Sequence, residues 1–275
     1  MRVGVVISTI GQSGALGLVL ESIASQTHPA QQIIVVDQSD GMAVSDLVKR
    51  WSDLLPIARL TSARGVSLGR NTGWQALDEC DIVAFSDDDC TYEPTAFAEV
   101  AREFEDLTVS ALSGRLTGSG ERLAFSGERC DIDRKSVWTK AIEATTFYRL
   151  GTLQATGGFD VTLGVGAPTK WQSGEGTDLL LRALELGGRA IYVPTIVVSE
   201  HQKMITHADY LRKVRAYGRG TGRVYRLRYT LPERVLVIVK PLIAVALHAL
   251  RGRTAEARQK WQAALGRAEG MTQSP

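Results

Sequence analysis

Ile82-Val83-Ala84-Phe85-Ser86-Asp87-Asp88-Asp89 decides how the rest of the chain is read: four apolar residues run almost directly into three carboxylates. A short apolar run bounded by polar residues predicts a buried strand. Three adjacent carboxylates at its end repel one another, so they demand a cation or bound donors. In an extended segment Asp87 and Asp89 would project to one side, because strand periodicity is two. Two oxygens there suit a hard divalent ion that also holds a diphosphate. The plainer alternative is a solvated acidic turn.

Upstream of this strand the same rhythm repeats. Residues 3–7 precede apolar residues at helical spacing (Leu16, Leu20, Ile23), and residues 33–36 precede Val44, Leu47, Val48 and Trp51. Residues 57–60 form a third strand-like run, followed by a helical stretch over 68–77. Such βαβα alternation predicts an α/β protein with a mostly parallel sheet, whose ligands sit outside the carboxyl ends of the strands. The polar residues at those ends are Thr9, Asp37 and Asp87 to Asp89. Asp37 can accept hydrogen bonds from a base or ribose there; equally, Asp37 or Ser39 can cap the next helix.

Downstream, residues 109–112 read as a strand, 114–127 as a Gly/Ser/Arg-rich connection, and 145–149 lead to a turn at Gly157-Gly158. A helix is predicted over 177–186, stopped by Gly187-Gly188. Residues 191–194 and 196–198 are strand-like but broken by Pro194, which suits an edge strand. Residues 207–228 read as helical and basic, and 235–250 as strongly apolar.

With 275 residues, 44% hydrophobic and 23% charged, the chain is neither disordered nor fibrous. Three cysteines without CxxC spacing argue against a disulfide framework or a structural zinc site and fit a reducing cytosol. No secretory leader is read at the start, because the first apolar run is too short for one. The net charge of +2 conceals a division: residues 202–275 hold 15 Lys and Arg against 4 Asp and Glu, and the remainder 17 against 26. An acidic body suits a metal-dependent site, and a basic tail suits phosphate head groups, nucleic acid or acidic polymers.

Two other motifs compete for attention. Gly11, Gly14 and Gly17 follow the first strand, but their spacing is GxxGxxG rather than GxGxxG, so the turn that brings backbone against a pyrophosphate is not specified. Phe85 to Thr91 contains DxDxT and resembles the nucleophile loop of haloacid-dehalogenase-type phosphatases. That loop usually opens its chain, whereas here four βα elements come first or with it, and no later acidic pair follows a strand.

A broader likeness runs through nearly the first 230 residues. Leu20 to Thr27, Ile33 to Asp40, Gly69-Arg70-Asn71-Thr72-Gly73, Phe85 to Asp89, Gly157-Gly158-Phe159-Asp160, Gly174 to Arg182, and Val193-Pro194 leading to His201 resemble, in order, family 2 glycosyltransferases. The resemblance implies an α/β fold of the GT-A type: a Rossmann-like mixed sheet flanked by helices over residues 1–230. Within it, 1–113 would form the nucleotide-sugar half and 114–230 the acceptor half, with a basic and apolar helical arm over 231–275. It also implies transfer of a sugar from a nucleotide-diphosphate sugar to a hydroxyl acceptor, a glycan or lipid-linked glycan, with inversion and with Mg²⁺ or Mn²⁺ as cofactor. Thr9, Asp37, Ser39, Arg70, Asn71, Asp87 and Asp88 would contact the donor, and Asp87, Asp89 and His201 would hold the metal. The chain departs from the family twice. Ser8-Thr9-Ile10-Gly11 stands where a Pro-Thr-Tyr-Asn-like stretch is usual, so only Thr9 carries over. Glu175-Gly176 stands where Glu-Asp is usual, so the catalytic base is Glu175, or Asp178 three residues on, or the chain binds donor without turnover; Glu175 is favoured.

The arm predicts a location. Residues 235–250 are short for a membrane span and are interrupted by Lys240-Pro241, while basic residues flank them on both sides. These features predict a peripheral protein on the inner face of an anionic cytoplasmic membrane, with no nucleic-acid partner; the alternative is a helix buried in the body or in a dimer.

Overall fold

The computed structural model describes residues 1–11, 13–118, 127–201 and 206–272, and the chain divides into two compact units. The first comprises Met1–Arg64, Leu68–Phe159 and Leu179–Gln202. Along the chain the order of elements begins β1 (Val3–Thr9), α1 (Ser13–Ala24), β2 (Gln32–Asp37), α2 (Ala43–Trp51), β3 (Ile57–Thr61), α3 (Val66–Gln75) and β4 (Ile82–Asp87). This is the predicted alternation. There follow β5 (Cys90–Tyr92), α4 (Ala96–Glu103), β6 (Val109–Thr117), β7 (Cys130–Ile132), α5 (Val137–Lys140), β8 (Thr146–Arg149), α6 (Leu150–Thr156), α7 (Glu175–Glu185) and β9 (Arg189–Glu200). Part of the 114–127 connection, residues 119–126, lies outside the described residues.

Among the described residues the strands form one sheet in the order β3-β2-β1-β4-β8-β6-β9-β5, with β7 also on β9. The β3-β2-β1-β4 half is parallel; β8 then runs antiparallel to both β4 and β6. Val3, Val5, Val6 and Ile7 are fully buried, as a central parallel strand covered on both faces requires. Helix α3 presses so closely on this strand that a Cβ on Gly73 would collide with Val6 and one on Gly69 with Ser8.

Several elements carry no counterpart in the sequence reading: β5, β7, α5, α6, and α4 with Ala96, Phe97, Val100 and Ala101 buried. Pro194 does not mark an edge. β9 is one strand with neighbours on both sides, and the β6–β9 register shifts between Ser113/Tyr192 and Arg115/Val197. The proline lies in that irregularity, where its missing N–H costs no ladder bond.

The second unit comprises Gly65–Ser67, Asp160–Asp178 and Lys203–Pro275, and contains α8 (His207–Arg228), α9 (Leu231–Leu250) and α10 (Thr254–Thr272). Gly218 and Gly222 on α8 meet Gly266 and Gly270 on α10; a Cβ on any of them would strike the backbone of the other helix. Small residues four apart on both partners permit this approach. Alongside, Glu269 accepts from Arg215 and from Arg219 Nε at 2.6 Å. The expected C-terminal helical arm is present, and this seam ties its last helix back to α8 within the second unit. Helix α9 also continues through Lys240-Pro241 rather than stopping there. A proline at 241 leaves the Val237 carbonyl without its helical donor, and Arg267 Nη1 supplies one at 2.8 Å.

Candidate functional site

In the first unit the residues singled out at the strand ends gather at one edge of the sheet. β1 and β4 are paired, with Ser8 opposite Asp87, so Thr9 and the acidic run emerge side by side. The extended alternation expected through Asp89 stops at Asp87: Asp88 and Asp89 form a turn before β5. Each carboxylate therefore meets a different neighbour. Asp87 Oδ1 accepts from Arg70 Nη2 at 2.8 Å. Asp88 Oδ2 accepts from the Thr9 hydroxyl. Asp89 is tied through its backbone, its carbonyl accepting from the His201 N–H at 2.9 Å.

The electrostatics follow from this crowding. Burial, assisted by Asp87 and Asp89, pushes the Asp88 carboxyl up to about 6 despite the bond from Thr9. Burial and Asp87 also raise Asp89. Both shifts come first from burial and then from the neighbouring carboxylates, and a cation at the loop would relieve that crowding. Among the described residues no three His, Cys, Asp or Glu side chains converge as a cage. Asp87, Asp89 and His201 are thus no ready-made ligand triad, since Asp87 bonds Arg70 and the His201 Nε2 lies 2.9 Å from Thr91 Oγ1. Two carboxylates can still hold a divalent ion that fills its shell with donor phosphates and water.

His201 reaches this loop because β5 and β9 pair antiparallel, Cys90 opposite Glu200. Arg70, 3% exposed, is held from its other side by the Phe159 ring, 5.4 Å from the guanidinium carbon. Asn71 has a different task from the donor contact expected of it. Its Nδ2 donates to the Phe159 carbonyl at 2.8 Å, while its Oδ1 accepts from the Phe159 N–H at 2.8 Å and from the Trp74 indole at 3.0 Å. The glycine beside this clasp is obligatory. Gly158 has φ +77°, and a Cβ there would lie 2.5 Å from Asn71 Oδ1.

Asp37 is also committed internally. Oδ1 accepts from the Ser39 N–H at 2.9 Å and its hydroxyl at 2.6 Å; Oδ2 accepts from Arg59 Nε and Nη2, each at 2.9 Å. Its side chain has no exposed surface. Burial alone would raise this carboxyl, but the bonds from Ser39 and Arg59 prevail and hold it below the usual carboxylate value. Arg59 was missed in the sequence, although a lone Arg inside Ile57-Ala58-Arg59-Leu60 was a signal. Gln38, whose Nε2 donates to Ser62 Oγ at 2.9 Å and to the Ala63 carbonyl at 2.6 Å, was missed as well.

The second unit holds the remaining acidic candidates, in the first turn of α7, where a helix N-terminus favours negative charge. Glu175 is 7% exposed and lies against Gly164, whose φ is +101° and whose added Cβ would come within 3.1 Å of the carboxyl carbon. Asp178 is fully buried, and its Oδ1 accepts from Arg228 Nε at 2.8 Å. Gly176 between them offers no side chain. Trp171, from the preceding segment, lies beneath the Arg223 guanidinium at 4.1 Å.

An open α/β sheet with an acidic turn, a buried Arg and a histidine at the carboxyl ends of its strands has the architecture of a GT-A fold. Residues 4–154 match glycosyl transferase family 2, and the chain belongs to that family. It is 26% identical over 222 residues to the pre-mycofactocin glycosyltransferase of Mycobacterium tuberculosis, covering 75% of this chain and 45% of the relative; the chain thus spans about half that protein's length. Among solved structures it is similar to S. aureus TarS 1–349 in complex with UDP, with 15% identity, TM-score 0.61, and coverage of 98% of this chain and 91% of the other. It is also similar to the mannosyltransferase PcManGT from Pyrobaculum calidifontis in complex with GDP-Man and Mn²⁺, with 17% identity, TM-score 0.63, and coverage of 97% and 87%.

Proposed function

We propose that this protein transfers a sugar from a nucleotide-diphosphate sugar to a hydroxyl acceptor on a glycan or lipid-linked glycan, with inversion and with Mg²⁺ or Mn²⁺. The observation that carries the reading is the turn at Asp87, Asp88 and Asp89, placed in a family 2 domain beside Arg70, Thr9 and His201. The nucleotide and nucleotide-sugar complexes of TarS and PcManGT support the donor class, and the Mn²⁺ of the latter supports the ion.

The roles follow from the chemistry of each group. Asp89, with Asp87, would hold the ion, which supplies positive charge to the departing diphosphate. Arg70, fixed between Asp87 and Phe159, would add a guanidinium for the phosphates. Asp37 would act indirectly, holding Ser39 and Arg59 at the nucleoside end. Glu175 would take the proton of the acceptor hydroxyl as that oxygen bonds to the anomeric carbon and the bond to the diphosphate breaks. Asp178, paired with Arg228, would position the start of α7. The basic C-terminal helices extend the reading to a peripheral location on the inner, anionic face of the cytoplasmic membrane.

Turnover assays with UDP- and GDP-sugars test the proposal. Release of nucleoside diphosphate is expected; release of inorganic phosphate instead would favour the DxDxT phosphatase, and binding without release a non-catalytic protein. Glu175→Gln should lower turnover by at least ~10²-fold while leaving donor affinity near that of the parent. Full activity in Glu175→Gln, with loss in a folded Asp178→Asn, would reassign the base.

A further inference from the structure

One half of α9 is apolar and open to solvent along its whole length. Val235, Leu236, Val239, Ile243, Leu247 and Leu250 are 53%, 48%, 38%, 56%, 48% and 86% exposed. At 100° per residue these positions fall within one semicircle. Lys240, also exposed, sits at its margin. The opposite side carries Val237 and Pro241, both buried, with Arg267 bonded to the Val237 carbonyl. A helix of 20 residues is about 30 Å long. So continuous an apolar strip differs from the scattered exposed residues of an ordinary surface and marks something that covers it.

The surrounding charge selects the cover. Of the acids on α8 to α10, Asp209 bonds Arg212 and Glu269 bonds Arg215 and Arg219, while Glu256 is exposed. Glu233 closes the capping box of α9 with Thr230. Lys240, Arg251, Arg253 and Arg258 are exposed. Two copies meeting through this face by a twofold axis would bring those cations together with Glu256 as the one exposed acid of α9 and α10 among the described residues, an imbalance that disfavours self-association. Spanning a bilayer is also disfavoured, because no described helix is long and apolar enough to cross a membrane. An anionic lipid surface satisfies both the strip and its rim.

We propose that α9 lies in the plane of an anionic bilayer, its apolar half among the upper acyl chains and Lys240, Arg251 and Arg253 on lipid phosphates. This rests on the membrane-surface reading above and adds the element and its orientation. Buried Val237 and Pro241 and the Arg267 bond hold the helix in place, so little ordering accompanies insertion.

Flotation of the full chain with vesicles of phosphatidylcholine, with and without phosphatidylglycerol, at low and high salt, tests it. Parent protein and Leu107→Glu, which alters an exposed apolar residue of the first unit, should float with phosphatidylglycerol vesicles at low salt. Ile243→Glu should bind about ten-fold or more weakly, since a charge is driven toward the acyl chains; unchanged circular dichroism verifies its fold. If Ile243→Glu floats as well as the parent, the membrane reading stands and α9 is not the element. If the parent stays behind on anionic vesicles at low salt, both readings fall. A parent dimer that Ile243→Glu makes monomeric, without flotation of either, gives the face to a second copy and overturns the proposal. Equal flotation on phosphatidylcholine alone overturns the role of the cations.

Discussion

Asp88 shows how much a single carboxyl can reveal. Its native value, about 6, stands above the ordinary 3.8, so the unfolded chain releases this proton first as pH rises. Stability contributed by the neutral form is therefore present at low pH and lost between those two values. Asp88→Asn keeps an acceptor for Thr9 and removes the charge, so it should stabilise the ligand-free protein at about pH 7.5 by on the order of 1–2 kcal/mol. Thermal melts across pH check this, and a gain that persists undiminished toward pH 4 would contradict it. The carboxylates were legible because strand ends are where an α/β sheet collects its ligands. Their separate partners were not, because the turn at Asp88 and Asp89 breaks the alternation that a strand would impose. Asn71 was legible as part of a motif but not in its task, since its partner Phe159 lies 88 residues away.

At the scale of elements, Lys240-Pro241 is read as an interruption of the apolar run, and the helix nevertheless continues through it. The difference is Arg267, on another helix, which no local pattern around 241 announces. Arg267→Met should leave the Val237 carbonyl unpaired and cost roughly 1–3 kcal/mol, whereas in a Pro241→Ala background the same change should cost less, because the substituted alanine restores the N–H. A double-mutant cycle by denaturant unfolding measures the coupling, and strictly additive effects would show that the two residues do not share that carbonyl. Pro194 teaches the same lesson in a strand. The apolar runs on either side of it were legible; the register shift that accommodates it depends on β6, far away in the chain. The short β5 and α4 escaped notice for a different reason, lying directly behind the acidic run that drew the reading.

Across the whole molecule, the uneven charge and the βαβα rhythm were legible from the outset, and they anticipated an α/β body and a basic helical end. On the proposed function, a nucleoside diphosphate with Mn²⁺ at 100 times its dissociation constant should add about 2.7 kcal/mol to the native state, roughly 5–10 °C in melting temperature for a chain of this size. Asp89→Ala should abolish the part of that rise that depends on Mn²⁺, and Asp88→Ala should diminish it less, because Asp88 is bonded to Thr9. Equal losses in calorimetric titrations would reject that ranking. The two units also differ in when they can be completed. The second is assembled from three separated segments, the last beginning at Lys203, so a ribosome makes Asp178 some 50 residues before the Arg228 that neutralises it. During synthesis the start of α7 must therefore wait, charged and unescorted, for a helix not yet made, and a chain stalled near residue 200 is a natural client for chaperones.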